Sequence, residues 1–131
     1  MTVLDENYPE SQRELLRAWR IPIRQIGYEV GHKGLQDDEI LPLLLRLRRP
    51  TFFSLDFDFY RPHLRHARYC LVVITAGQYE AASFTRRLLQ HPEFDTEAKR
   101  LGAVLRVSHV GVTVWSHHAE SEEHYSWPSA R

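Results

Sequence analysis

A single cysteine, Cys70, leaves this chain without the thiols for a disulfide framework or a zinc ribbon. It lies in the apolar run Tyr69-Cys70-Leu71-Val72-Val73-Ile74, which predicts a buried, reduced thiol. Net charge is lacking too. The 17 basic Lys and Arg residues balance 17 Asp and Glu, so bulk electrostatics point neither to a strong nucleic-acid binder nor to an acidic tail protein. Any such partner has to be met by a local patch. No apolar stretch approaches the roughly 20 residues needed to span a bilayer, and the N-terminus lacks the charged-then-apolar pattern of a signal peptide. A soluble cytoplasmic protein with no membrane partner is therefore expected. Gly31-His32-Lys33-Gly34 lacks the spacing of a phosphate-binding loop and the hydroxyl residue after its lysine. No nucleophile elbow is present, and the eight histidines match no zinc template.

The length of 131 residues suits one domain with a real hydrophobic core. Thr2 to Leu4 is a short β-prone opening that runs into Asp5-Glu6-Asn7. Pro9 suits a first helical turn, and Leu15, Leu16 and Trp19 form one stripe, so a helix is predicted over residues 9–20. A second strand follows over residues 21–26, then a glycine-rich loop. The carboxylates of Asp37-Asp38-Glu39 suit a helix N-terminus, with a kink or a restart expected at Pro42. The aromatic run Thr51 to Phe59 reads as the central buried strand, and residues 60–68 as a basic loop. Residues 69–75 form the next strand. Apolar residues then recur at helical spacing twice, at Ala81, Phe84, Leu88 and Leu89 and again at Phe94, Ala98, Leu101 and Leu105, predicting two consecutive helices. Gly111 to Trp115 supplies a last strand. The order β-α-β-α-β-β-α-α-β argues a three-layer α/β/α sandwich with a mostly parallel sheet. One domain over residues 1–115 is then followed by a polar, mobile tail over residues 116–131.

In open parallel sheets, ligands bind beyond the carboxyl ends of the strands. Asp5 ends one predicted strand, Asp56 and Asp58 end another, and Asp37 or Asp38 opens the helix between them. Two carboxylates about 4 Å apart repel by roughly 4 kcal/mol at an effective dielectric near 20, so convergent aspartates call for a counter-charge. All-oxygen donors fit Mg²⁺ or Mn²⁺, and such a metal with open positions can activate water against a phosphodiester. Each aspartate taken singly also serves as a cap or turn former.

Val3-Leu4-Asp5-Glu6-Asn7, Asp37-Asp38-Glu39-Ile40-Leu41 and Ser54-Leu55-Asp56-Phe57-Asp58-Phe59 together resemble the short PIN-like proteins. Those carry Leu-Asp-Glu-Asn, then Asp-x-x-Ile-Leu, then Thr-x-Asp-x-Asp-Phe. The resemblance covers residues 3–75 in motif and reaches Trp115 in element order. It implies a PIN-type fold and an Mg²⁺- or Mn²⁺-dependent ribonuclease, many small members being VapC-like toxins paired with an antitoxin. Carried over by position, Asp5, Asp37, Asp56 and Asp58 are the implied metal ligands and catalytic residues, with Ser54 where threonine is usual. Larger PIN nucleases insert a helix bearing an extra glutamate before the helix-start aspartate. Here residues 27–36 offer only Glu29, and Glu6 or Asp58 is the other substitute.

Arg61, Arg65 and Arg68 follow the acidic strand end and are candidates to hold an RNA backbone. RNA, an antitoxin protein and a second copy of the chain are the partners this reading admits. The competing reading is a catalytically silent PIN-like module that binds protein or RNA. A phosphoacceptor receiver domain also uses acidic strand ends, but its later lysine is unmatched, because Lys99 falls inside a predicted helix.

Overall fold

Seven strands join in one sheet in the computed structural model, which describes residues 1–129. They are β1 (Thr2–Leu4), β2 (Arg24–Gln25), β3 (Thr51–Ser54), β4 (Cys70–Ile74), β5 (Val104–Ser108), β6 (Gly111–Trp115) and β7 (Glu123–Tyr125). Their spatial order is β2-β1-β3-β4-β5-β6-β7. The pairings from β2 to β5 are parallel, and β6 and β7 add antiparallel. Four helices connect them: α1 (Glu10–Ala18), α2 (Asp37–Leu45), α3 (Ala81–Gln90) and α4 (Glu97–Arg100). The chain is thus α/β with a mostly parallel sheet.

Alternation along the central strands sends side chains to two separate cores. Leu4, Phe53, Val72 and Leu105 meet Leu16 of α1 and Phe84 and Leu88 of α3 on one face. Val3, Phe52, Leu71 and Val73 meet Ile40 and Leu44 of α2 on the other. Strands covered on both faces read as continuous apolar runs, which is why β3 and β4 are conspicuous in the sequence. Cys70 is fully buried, and burial pushes its thiol up to about 12.

Four local expectations are corrected. Helix α2 runs from Asp37 to Leu45 with Pro42 inside it, so the helix does not restart there. Pro42 and Asp38 are both exposed, so water can take the Asp38 carbonyl that proline leaves free. The central strand stops at Ser54, and Phe57–Phe59 turns as a 3₁₀ segment that Asp56 caps. The second of the two consecutive helices shrinks to α4: the backbone leaves the helix at Leu101 (φ −59°, ψ 132°), turns at Gly102 with φ +91°, and Val104 begins β5. A Cβ at Gly102 would also stand 2.8 Å from His117 Cβ.

The tail from residue 116 is not free. Its residues 123–125 pair with β6 in the register Val112↔Tyr125, Thr113↔His124 and Val114↔Glu123. Trp127 Nε1 donates to the Ser108 carbonyl at 2.7 Å, and the Arg65 guanidinium donates to the carbonyls of Ser116 and Ala119 at 2.6 and 2.8 Å. Residues 130 and 131, which the expected tail included, lie outside the described residues. No helix among the described residues is long and apolar enough to cross a membrane.

Candidate functional site

The chain leaves β1 on one side to form β2 and returns on the other side to form β3. Connections diverging from neighbouring parallel strands open a crevice at their carboxyl ends, the usual ligand site of such sheets. Leu4 pairs with Phe53, so the residues that follow, Asp5 and Ser54, emerge side by side into that crevice. Helix α2, feeding β3, brings Asp37 at its first turn to the same place. The cleft encloses about 360 Å³; Asp5, Glu6, Asn7, Asp37 and Asp56 line it beside Leu35 and Ile40.

A relay of hydrogen bonds fixes its acidic wall. Ser54 Oγ donates to Asp5 Oδ2 at 2.7 Å and accepts the Asp56 N–H at 3.0 Å. Asp56 Oδ1 in turn accepts the Asp58 N–H at 2.9 Å. Behind Asp5, Gln25 Nε2 approaches the carbonyls of Asp5, Glu6 and Tyr8, each at 3.1 Å. This buried amide ties the turn after β1 to β2, while its own Oε1 is buried without a hydrogen-bond partner.

Asp5 is only 9% exposed, and its pKa is raised. Burial is the main cause, joined by the charges of Asp37 and Asp56, against the Ser54 hydrogen bond and the Glu6 backbone. Asp37 is raised as well, by burial and then by Asp56, Asp58 and Asp38. The carboxylates therefore sense one another as a cluster short of positive charge.

Not every candidate faces the cleft. Asp38, beside Asp37, lines a separate groove with His32, Pro42 and Arg46. Asp58 has a side chain 76% exposed and lies 3.6 Å from the Arg61 guanidinium. Glu6 accepts the Gly34 N–H at 2.9 Å, and Glu29 pairs with Arg13 at 2.7 Å, so two of the three proposed substitutes for the missing glutamate already have partners, and the third, Asp58, faces solvent beside Arg61.

The arginines divide. Arg61 stays beside the acidic turn. Arg65 is committed to the carbonyls of Pro62, Ser116 and Ala119. Arg68 borders a hollow with Arg48 and Arg49, next to the amino ends of β3 and β4. That is the sheet edge opposite Asp5 and Asp56, so placing Arg65 and Arg68 at the acidic site is corrected. Phe59 and Tyr60, the aromatic residues just before Arg61, are buried. Gln25 was not among the sequence candidates, since only the β1–β2 pairing brings its amide under Asp5.

The donor set suits a hard divalent cation. Asp5, Asp37 and Asp56 are all-oxygen donors, and among the described residues the lining of their cleft includes no Lys, Arg or His. Among the described residues no three His, Cys, Asp or Glu side chains stand close enough to share a metal directly. Mg²⁺, which keeps several of its waters and takes one or two carboxylates, is the ion least demanding of direct ligation. No family model, curated protein or solved structure matches the chain.

Proposed function

We propose that this chain is a PIN-like, divalent-metal-dependent ribonuclease whose site is the cleft between the ends of β1 and β3. One observation carries the reading: Asp5, Asp37 and Asp56, separated widely in sequence, line a single cleft at the point where the sheet connections diverge. Asp5 and Asp56 would hold Mg²⁺ or Mn²⁺, with Asp37 in the lining of the same cleft. The bound ion supplies a water of lowered pKa and a Lewis acid for a phosphoryl oxygen. Ser54 holds Asp5 and the Asp56 backbone in fixed relation, so the carboxylates need little rearrangement to receive charge. Asp37, raised in pKa and more open to solvent, is the group suited to accept a proton from an attacking water.

The test is RNA cleavage by purified protein with Mn²⁺, beside Asp56→Asn. Cleavage by the wild type and loss in the variant is the expected result. Equal cleavage by both removes Asp56 from the reaction.

A second reading, a binding module without catalysis, is favoured by the hydrogen bond of the cleft residue Glu6 to the Gly34 N–H and by the pairing of Glu29 with Arg13, which occupy two of the carboxylates offered for the missing glutamate. Calorimetric titration with Mn²⁺ separates the two: no binding at millimolar ion leaves the nuclease without its cofactor.

A further inference from the structure

Directly after Asp56, the chain places a large apolar ring in solvent. Phe57 is 44% exposed, whereas its neighbours in the same turn, Phe59 and Tyr60, are 4% and 6% exposed. An exposed phenyl ring carries no meaning alone. Here it adjoins a wall residue of the acidic cleft, and a cation accompanies it. The Arg61 guanidinium lies 6.0 Å from the Phe57 ring centroid. Its tie to Asp58 is loose, at 3.6 Å between side chains 44% and 76% exposed. Among the described residues its one hydrogen bond is from Nη1 to the Tyr60 carbonyl at 3.2 Å.

The turn itself is held rigidly. Asp56 caps it through the Asp58 N–H, and Phe57 meets the Tyr60 ring at 5.7 Å. Tyr60 is anchored in turn by its hydroxyl, which donates to Glu122 Oε1 at 2.9 Å. A presented aromatic ring with an adjacent guanidinium is the combination that binds single-stranded nucleic acid, the base stacking on the ring and the phosphate meeting the cation. A base paired inside a duplex has no free face to offer.

We infer that Phe57 and Arg61 form a positioning site for one unpaired nucleotide beside the acidic cleft. This rests on the ribonuclease reading of the cleft. Arg61 also offsets the Asp58 carboxylate that would otherwise repel the phosphate.

The experiment is fluorescence anisotropy with a short labelled single-stranded RNA, and with the same strand in a duplex, in EDTA so that no cleavage occurs. Wild type is expected to prefer the single strand. Phe57→Ala should weaken single-strand binding about 5- to 150-fold, the range for losing one base–aromatic stack, and Phe57→Trp should restore it. Arg61→Ala should lower the salt dependence by about one phosphate contact. Urea midpoints equal to the wild type establish that these exposed substitutions leave the fold intact. Unchanged affinity in Phe57→Ala, equal binding of duplex, or no single-strand binding by the wild type overturns the inference. Manganese-dependent cleavage is scored separately, so a cleaving wild type with an unaffected Phe57→Ala sinks this site alone. Absent cleavage with intact stacking sinks the nuclease reading instead.

Discussion

The hydroxyl of Ser54 donates to Asp5 Oδ2 at 2.7 Å while the same oxygen accepts the Asp56 N–H, so one buried atom joins the ends of β1 and β3. Ser54→Ala removes both contacts inside a fully buried position. The variant should lose about 1–3 kcal/mol of stability, the cost of leaving buried polar groups without partners. Equilibrium urea unfolding measures it, and a loss below a few tenths of that range would mean that water replaces the hydroxyl.

The raised carboxylates set a slope in stability against pH. A folded-state pKa above the unfolded value means that the native chain holds its proton longer, so stability falls as pH rises. For Asp5 and Asp37 the window opens near the ordinary value of 3.8 and closes at each group's raised value. Glu80 and Asp95, lowered by hydrogen bonds to His109 and Lys99, slope the other way. The quantity to measure is thus the difference between wild type and Asp5→Asn. Asp5→Asn should gain relative stability as pH rises through the window; a flat difference contradicts the burial and repulsion assigned to Asp5.

Asp37→Asn relieves repulsion without disturbing a hydrogen bond that the structure assigns to the carboxylate. It should be at least as stable as wild type at neutral pH in EDTA, yet gain less from added Mn²⁺. For wild type, saturation at 100 times the dissociation constant should add about 2.7 kcal/mol. Thermal midpoints with and without the ion read both effects, and an equal gain in the two proteins would take Asp37 out of the cation site.

Gln25→Leu replaces the amide that holds the Asp5, Glu6 and Tyr8 carbonyls. Losing a buried donor shared among these acceptors should cost about 2–4 kcal/mol and also weaken Mn²⁺ binding, since the turn carrying Asp5 loosens. Calorimetry on the folded variant checks the second effect. Unaltered Mn²⁺ affinity would restrict Gln25 to a structural role.

Arg65→Ala should release the C-terminal segment, because its guanidinium bridges Pro62 to Ser116 and Ala119. Hydrogen exchange should rise over residues 116–127, with RNA affinity unchanged. A drop in RNA affinity with exchange unchanged would return Arg65 to the nucleic-acid surface.

Much of the centre was legible because burial leaves a direct mark on composition. Runs such as Phe52-Phe53 and Cys70 to Ile74 can sit only between two apolar layers, and the carboxylates beyond them are conspicuous. The edges were not. Phe94, Ala98, Leu101 and Leu105 repeat at helical spacing, yet Gly102 at φ +91° breaks the run, and Leu105 is buried in β5. Strand β7 is built from Glu123, His124 and Tyr125, mostly exposed, and is held by pairing with β6 rather than by an apolar pattern. The distinct fates of Asp37 and Asp38, adjacent on one helix turn, depend on helix placement that spacing alone does not encode.

The arrangement of β1 between β2 and β3 also governs when the acidic cleft can come into being. Ser54 lies 49 residues beyond Asp5, and at roughly 5–20 residues per second it emerges from a ribosome some seconds later. Until then Asp5 is a solvated carboxylate, with neither the desolvation nor the neighbouring charges that raise its pKa. The proposed cation affinity would accordingly be acquired with the docking of β3, and Mn²⁺ binding would then serve as a clock for that step of folding.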